Sequence, residues 1–171
     1  MNTGATYDWY GNSSGPEFFL GLGYKNFHLY TSFRYFENII KENLPYSNTA
    51  YYLPKGANVR MVFGNFGLSY EKEIAKRLFI EPTAGYLLNY TTSNIVDSQG
   101  NEFDIKDLCG LTLGANLIKY IKFQEGFYFG FYVSGNYNFI DYQKLNSGLR
   151  NNTFGYSIGA VIKGTDVKRK R

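Results

Sequence analysis

Hydrophobic residues recur at every second position along much of the chain, and the clearest run is 78–91, LFIEPTAGYLLNYT. Leu78, Ile80, Pro82, Ala84, Tyr86, Leu88 and Tyr90 share one phase; Phe79, Glu81, Thr83, Gly85, Leu87, Asn89 and Thr91 share the other. Strand side chains alternate between faces, so the run predicts a long strand with one apolar side. A sheet that turns its second face to water usually covers it with Lys, Glu, Arg and Gln. Here that face carries Thr, Gly and Asn with a single Glu. Small polar residues suit a crowded polar interior, which implies a closed barrel with lipid outside and a filled lumen.

The same period predicts seven further strands. The first is 1–10, with Thr3, Ala5, Tyr7 and Trp9 against Asn2, Gly4, Thr6 and Asp8. The turn GNSSGP (11–16) leads to 17–24, with Phe18, Leu20, Leu22 and Tyr24 outward and Glu17, Phe19, Gly21 and Gly23 inward. Lys25-Asn26 is a hairpin turn. Strand 27–36 sets Phe27, Leu29, Thr31, Phe33 and Tyr35 outside and His28, Tyr30, Ser32 and Arg34 inside. Strand 57–71 turns Phe66, Leu68 and Tyr70 out. Upstream, Met61 and Phe63 share the parity of Asn65, and a bulge at Phe63-Gly64 is expected to restore the phase and place Arg60 in the lumen. After 78–91 come 107–119, 127–141 and 152–163, each apolar on one face.

Eight strands joined by hairpins make an up-and-down antiparallel barrel. Residues 37–56, 92–106 and 142–151 are the long connections, and those at 25–26, 72–77 and 120–126 are short. Bacterial outer-membrane barrels pair short periplasmic turns with longer extracellular loops, so both termini are expected on the periplasmic side. Tyr24, Tyr35, Tyr70, Tyr90, Tyr120 and Tyr142 are placed for aromatic girdles. Pro82 removes a ladder donor inside a strand, which a bulge at Glu81-Pro82 would accommodate.

Composition changes little in this picture. Mean hydropathy is −0.32, which hides alternation. The 171 residues contain no apolar run long enough for a transmembrane helix. The net charge of +4 equals the four basic residues Lys168 to Arg171, so the rest is neutral by formal count and nucleic acid is not an expected partner. Residues 1–164 are read as the barrel. Residues 165–171 are read as a basic periplasmic tail or the start of a linker that continues past Arg171, and a signal peptide is expected to have been removed.

Candidate chemistry is sparse. The inward phases carry Glu17, Arg34, Glu71, Glu81 and, with the bulge, Arg60, expected to form a polar ionic network that plugs the lumen. Asp8, His28 and Lys163 share those phases. His28 is the single histidine and Cys109 lies on the opposite face, so no metal site is implied. Ser32 shares the phase of His28 but stands about 13 Å along the strand, too far for a catalytic pair. No cofactor is implied. The outward phenylalanines Phe127, Phe129, Phe131 and Phe139 form a candidate partner-facing wall.

Through this alternation, the IEPTAGY segment (80–86) and the ending GYSIGAVIKG (155–164), the chain resembles the small eight-stranded bacterial outer-membrane barrels, particularly the outer membrane beta-barrel families common in Bacteroidetes. The resemblance covers nearly the whole chain. Barrels of this class usually finish on an aromatic residue, whereas KGTDVKRKR follows the last strand here. The resemblance implies a non-enzymatic Gram-negative outer-membrane protein in contact with outer-membrane lipid. It would act as an accessory component of an outer-membrane assembly, contacting other outer-membrane proteins, or through its exposed surface. The alternatives are a soluble calycin-like carrier of a small ligand and, behind it, a lipid-modifying outer-membrane enzyme.

Overall fold

A computed structural model describes residues 2–4, 15–40, 44–45, 52–53, 55–96, 102–144 and 151–165. Its strands are β1 (Asn2–Gly4), β2 (Glu17–Tyr24), β3 (Phe27–Ile39), β4 (Leu44–Pro45), β5 (Tyr52–Leu53), β6 (Asn58–Tyr70), β7 (Lys72–Ala75), β8 (Leu78–Val96), β9 (Glu102–Gln124), β10 (Phe127–Ile140) and β11 (Thr153–Gly164). A 3-10 turn covers Tyr142–Lys144. The main sheet is antiparallel throughout, in the order β1-β11-β10-β9-β8-β6-β3-β2, with β7 also paired to β8. β4 and β5 form a separate two-stranded ribbon in the first long connection. No helix among the described residues is long and apolar enough to cross a membrane.

The eight-stranded path is curled into a half-barrel, because strands four places apart meet on its concave side. Arg34 on β3 donates Nη1 to Asn136 Oδ1 on β10 at 2.9 Å. Lys163 on β11 pairs with Glu71, at the end of β6. β1 covers only Thr153–Gly155 of β11, so the rest of that edge and the free side of β2 have no strand neighbour among the described residues. Asn2–Gly4 therefore lie at the long-connection end of β11, not at the short-turn end expected for both termini. The remainder of the predicted first strand, with Asp8, lies outside the described residues.

Alternation governs the wall. On β10, Phe127, Phe129, Phe131, Val133, Tyr137 and Phe139 are exposed, while Gly130, Ser134 and Asn138 are buried. β3, β8, β9 and β11 follow the phases that their sequences set, whereas β2, at the free edge, is exposed on both faces apart from half-buried Glu17. Two-residue turns at Lys25-Asn26, Lys76-Arg77 and Glu125-Gly126 close the short-turn rim. Gly126 takes φ +79°, which glycine adopts without a side-chain clash.

Several expectations are corrected. The register of β3 with β6 runs unbroken from Phe27↔Tyr70 to Ile39↔Asn58, so there is no bulge at Phe63-Gly64. Met61 and Phe63 point inward and Arg60 points out. Nor is there a bulge at Pro82, which pairs in register with Ala115. Instead the ladder on its other side stops at Ser69↔Thr83 and resumes at Lys72↔Ile80, so the interruption falls opposite Glu81 and Pro82. The freed Glu71 N–H donates to the Asn26 carbonyl at 2.8 Å. Residues 92–96 and 102–106 are strand rather than loop, and β9 continues through 120–124. Lys72–Ala75 is likewise strand. Tyr120 and Tyr142 are buried inside instead of standing in a girdle.

Candidate functional site

The concave side holds two kinds of packing. Toward the long connections, Phe36, Ile40, Ala57, Val59, Met61, Phe63, Leu87, Leu108, Ile140 and Tyr142 form one buried apolar cluster. The Phe36 and Phe63 rings meet edge to face at 5.6 Å. The Tyr142 phenol, outside the strands, is pushed up by burial, while hydrogen bonds with Thr153 and Asn89 oppose that shift. Toward the short turns the interior is mixed: the inward Glu, His, Ser and Asn side chains stand among Phe79, Ile118, Tyr120 and Val161.

This mixed half is organised around two carboxylates. Glu81 Oε1 accepts from Ser69 Oγ at 2.6 Å and lies 3.2 Å from His28 Nδ1, while Oε2 accepts from Asn116 Nδ2 at 2.9 Å. Glu71 accepts from Tyr120 Oη at 3.1 Å and from Lys163, whose Nζ lies over the rings of Phe79 and Tyr120. Nearer the apolar cluster, Arg34 Nε stands 2.7 Å from Glu17 Oε1. Buried charge of this kind persists because each carboxylate has cationic or hydrogen-bonding partners.

Close packing leaves little free volume. The Tyr30 hydroxyl would stand 2.9 Å from a methyl group on Gly85, and the His28 ring occupies the space a side chain on Gly23 would need. The Phe19 ring stacks on Tyr30 at 5.5 Å. A cavity of about 10 Å³ lies at the boundary of the two halves, beside Ser32, Arg34, Phe63 and Asn136. That is space for about one water molecule, not for a ligand.

Arg60 is the sequence-derived network member that the structure places elsewhere. It stands on the outer face at the long-connection rim, with its Nε 3.5 Å from Glu37 Oε1 and side-chain exposures of 57% and 45%. Water screens such a pair, so Arg60→Ala should change the unfolding free energy by less than about 1 kcal/mol. A denaturation series in detergent checks this, and a loss of several kcal/mol would return Arg60 to the interior.

Of the other four, Glu17 and Arg34 come together as one pair, and Glu71 and Glu81 anchor separate clusters. Sequence reasoning missed the partners Ser69, Asn116, Tyr120 and Asn136. Their inward parity was readable, but which wall faces which was not. Ser69 and His28 both address the same carboxylate oxygen, so among the described residues His28 does not stand between a hydroxyl and an acid as in a catalytic triad. No group of three or more His, Cys, Asp or Glu able to hold a metal occurs among the described residues. Cys109 is exposed on the outer face.

That outer face is the other candidate surface. Phe127, Phe129, Phe131 and Phe139 lie exposed in one column on β10. The Phe129 and Phe131 rings meet edge to face at 5.0 Å, as do Tyr137 and Phe139 at 4.9 Å. No family model, curated protein or solved structure matches the chain. The wall and the filled interior therefore carry the functional reading by themselves.

Proposed function

We propose that this protein is an integral outer-membrane barrel with a plugged interior, a non-enzymatic accessory component of an outer-membrane assembly. The observation that carries the reading is the apolar exterior. Phe18, Leu20, Leu22, Leu29, Phe66, Leu68, Leu88, Leu111, Leu113, Phe131, Ile158 and Ile162 are all exposed, spread over β2, β3, β6, β8, β9, β10 and β11. Soluble monomers rarely expose a contiguous apolar patch larger than a few hundred Å². On β10 the exposed column runs from Phe127 to Phe139. Twelve steps of about 3.3 Å, tilted about 40°, rise about 30 Å, close to the thickness of a bilayer core.

The interior supports the same reading over a calycin-like carrier. A carrier turns its apolar face inward around a ligand space. Here most inward residues level with the apolar belt are small or polar, with Tyr30, Phe79 and Ile118 packed among them, and the apolar cluster near the long connections is packed shut. That inversion suits a wall that leaves lipid near Arg60, where the outside meets water and the inside becomes an ordinary core. The long connections would lie outside the cell and the residues after β11 in the periplasm.

An accessory role follows from what the wall offers a neighbour. The edge-to-face phenylalanines on β10 form a shaped surface, which another membrane protein can fit more specifically than acyl chains can. The test has two stages. The protein should require detergent for extraction and should run differently on gels when boiled and unboiled; extraction in plain buffer favours the carrier. In native-membrane pull-downs, Phe129→Leu with Phe131→Leu should lose partners that the wild type retains. Identical partner sets, or none with either protein, would remove the wall as an interface.

A further inference from the structure

We infer that the short-turn rim selects anionic phospholipid headgroups in the leaflet it meets. The inference rests on the membrane reading above and adds a lipid class to it. The rim is one connected edge: Glu71 N donates to Asn26 O at 2.8 Å, Tyr120 N to Arg77 O at 2.9 Å, and Thr165 N to Gly126 O at 2.8 Å. These bonds tie the β2–β3, β7–β8 and β9–β10 turns and the end of β11 side by side.

Lys25, Lys72, Lys76, Arg77, Lys119 and Lys122 are all exposed along this edge. Among the described residues, the exposed acids there are Glu73 and Glu125, and Glu73 Oε1 already accepts the Arg77 backbone N–H at 2.7 Å. Lys119 Nζ donates to the Lys76 carbonyl at 2.8 Å, which holds one cation against the neighbouring turn. Beside the cations stand large exposed apolar groups. Phe123 is 81% exposed and Tyr24 77%, with Lys25 Nζ 5.4 Å from the Tyr24 ring centre. Aromatic rings level with lysines are the composition of a surface seated among headgroups, where lysine stems lie on the apolar wall and their ammonium groups reach phosphate.

The opposite rim lacks this bias. Its exposed charges among the described residues are Glu37, Asp107 and Asp141 against Lys55, Arg60 and Lys144, and Arg60 is paired with Glu37. The three long connections together carry as many acidic as basic residues. A negative leaflet is therefore attracted at one rim and not at the other. A polyanion in solution would meet the same charges, but it would leave Phe123, Tyr24 and Phe127 in water, whereas a lipid interface covers them.

The protein should be refolded into phosphatidylcholine vesicles carrying a trace of spin-labelled phosphatidylglycerol or spin-labelled phosphatidylcholine. At low salt the immobilised fraction should be severalfold larger for phosphatidylglycerol, and the preference should shrink in high salt as the charges are screened. Lys72→Gln with Lys76→Gln and Lys122→Gln should remove most of it, while Lys55→Gln with Arg60→Gln should not. Equal immobilisation of the two lipids, or a preference indifferent to salt, overturns the inference. The salt series on the wild type decides even if the triple variant does not fold. Failure to enter vesicles, seen as the absence of a heat-modifiable band, defeats the membrane reading itself and this inference with it.

Discussion

Arg34→Ala should destabilise the folded wall by about 3–5 kcal/mol, the usual cost of removing one partner from a buried pair. The arginine serves two strands at once. Its Nε faces Glu17 at 2.7 Å and its Nη1 donates to Asn136 at 2.9 Å across the interior. Both members of the ion pair are largely covered, at 15% and 11% side-chain exposure, so solvent would do little to stabilise the abandoned carboxylate. Unfolding midpoints in detergent measure the loss. The double change Arg34→Met with Glu17→Gln should recover much of it, because the uncompensated charge goes too. An unchanged midpoint for Arg34→Ala would mean that the pair is hydrated and contributes little.

Phe63→Ala should cost about as much, roughly 3–5 kcal/mol, for a different reason. The ring is 3% exposed, packs edge to face on Phe36 and belongs to the apolar cluster. Its removal leaves a cavity that a packed sheet cannot close. The same truncation at exposed Phe66, three positions on, removes contacts with lipid or detergent alone and should cost much less. Equal losses at the two positions would show that Phe63 lies on the outer face, as a bulge at Phe63-Gly64 would have placed it.

The contrast between these two phenylalanines marks how far the fold was legible in the sequence. Alternation located the wall strands and their outward faces wherever an apolar exterior is opposed by a polar interior, as at Leu78 to Thr91. It failed where that opposition ends. Residues 92–96 extend one strand without alternation, whereas Phe103 and Ile105 do alternate with Glu102, Asp104 and Lys106, a short strand signal hidden by the Gln99-Gly100-Asn101 turn residues beside it. At Val59, Met61 and Phe63 the inner face becomes apolar while Arg60 stands outside. The inversion was mistaken for a slip of register, which misplaced Arg60. Pro82 was misread because the sequence shows the missing donor but not the gap in the neighbouring strand that accommodates it. The candidate network was half legible: inward parity named Glu17, Arg34, Glu71 and Glu81, but pairing across the interior depends on curvature.

The two bridges across the interior also bear on the order of assembly. Most of the sheet consists of hairpins whose partners are close in sequence, whereas Arg34–Asn136 and Lys163–Glu71 join residues 102 and 92 positions apart. Contacts of such long range carry more loop-closure entropy than the hairpins and are expected to form after them. Interactions made after the folding transition state act on the rate of unfolding rather than on the rate of folding. Curling the sheet until opposite walls touch thus acts as a latch: the chain can assemble its ribbons quickly and, once the bridges close, escapes slowly.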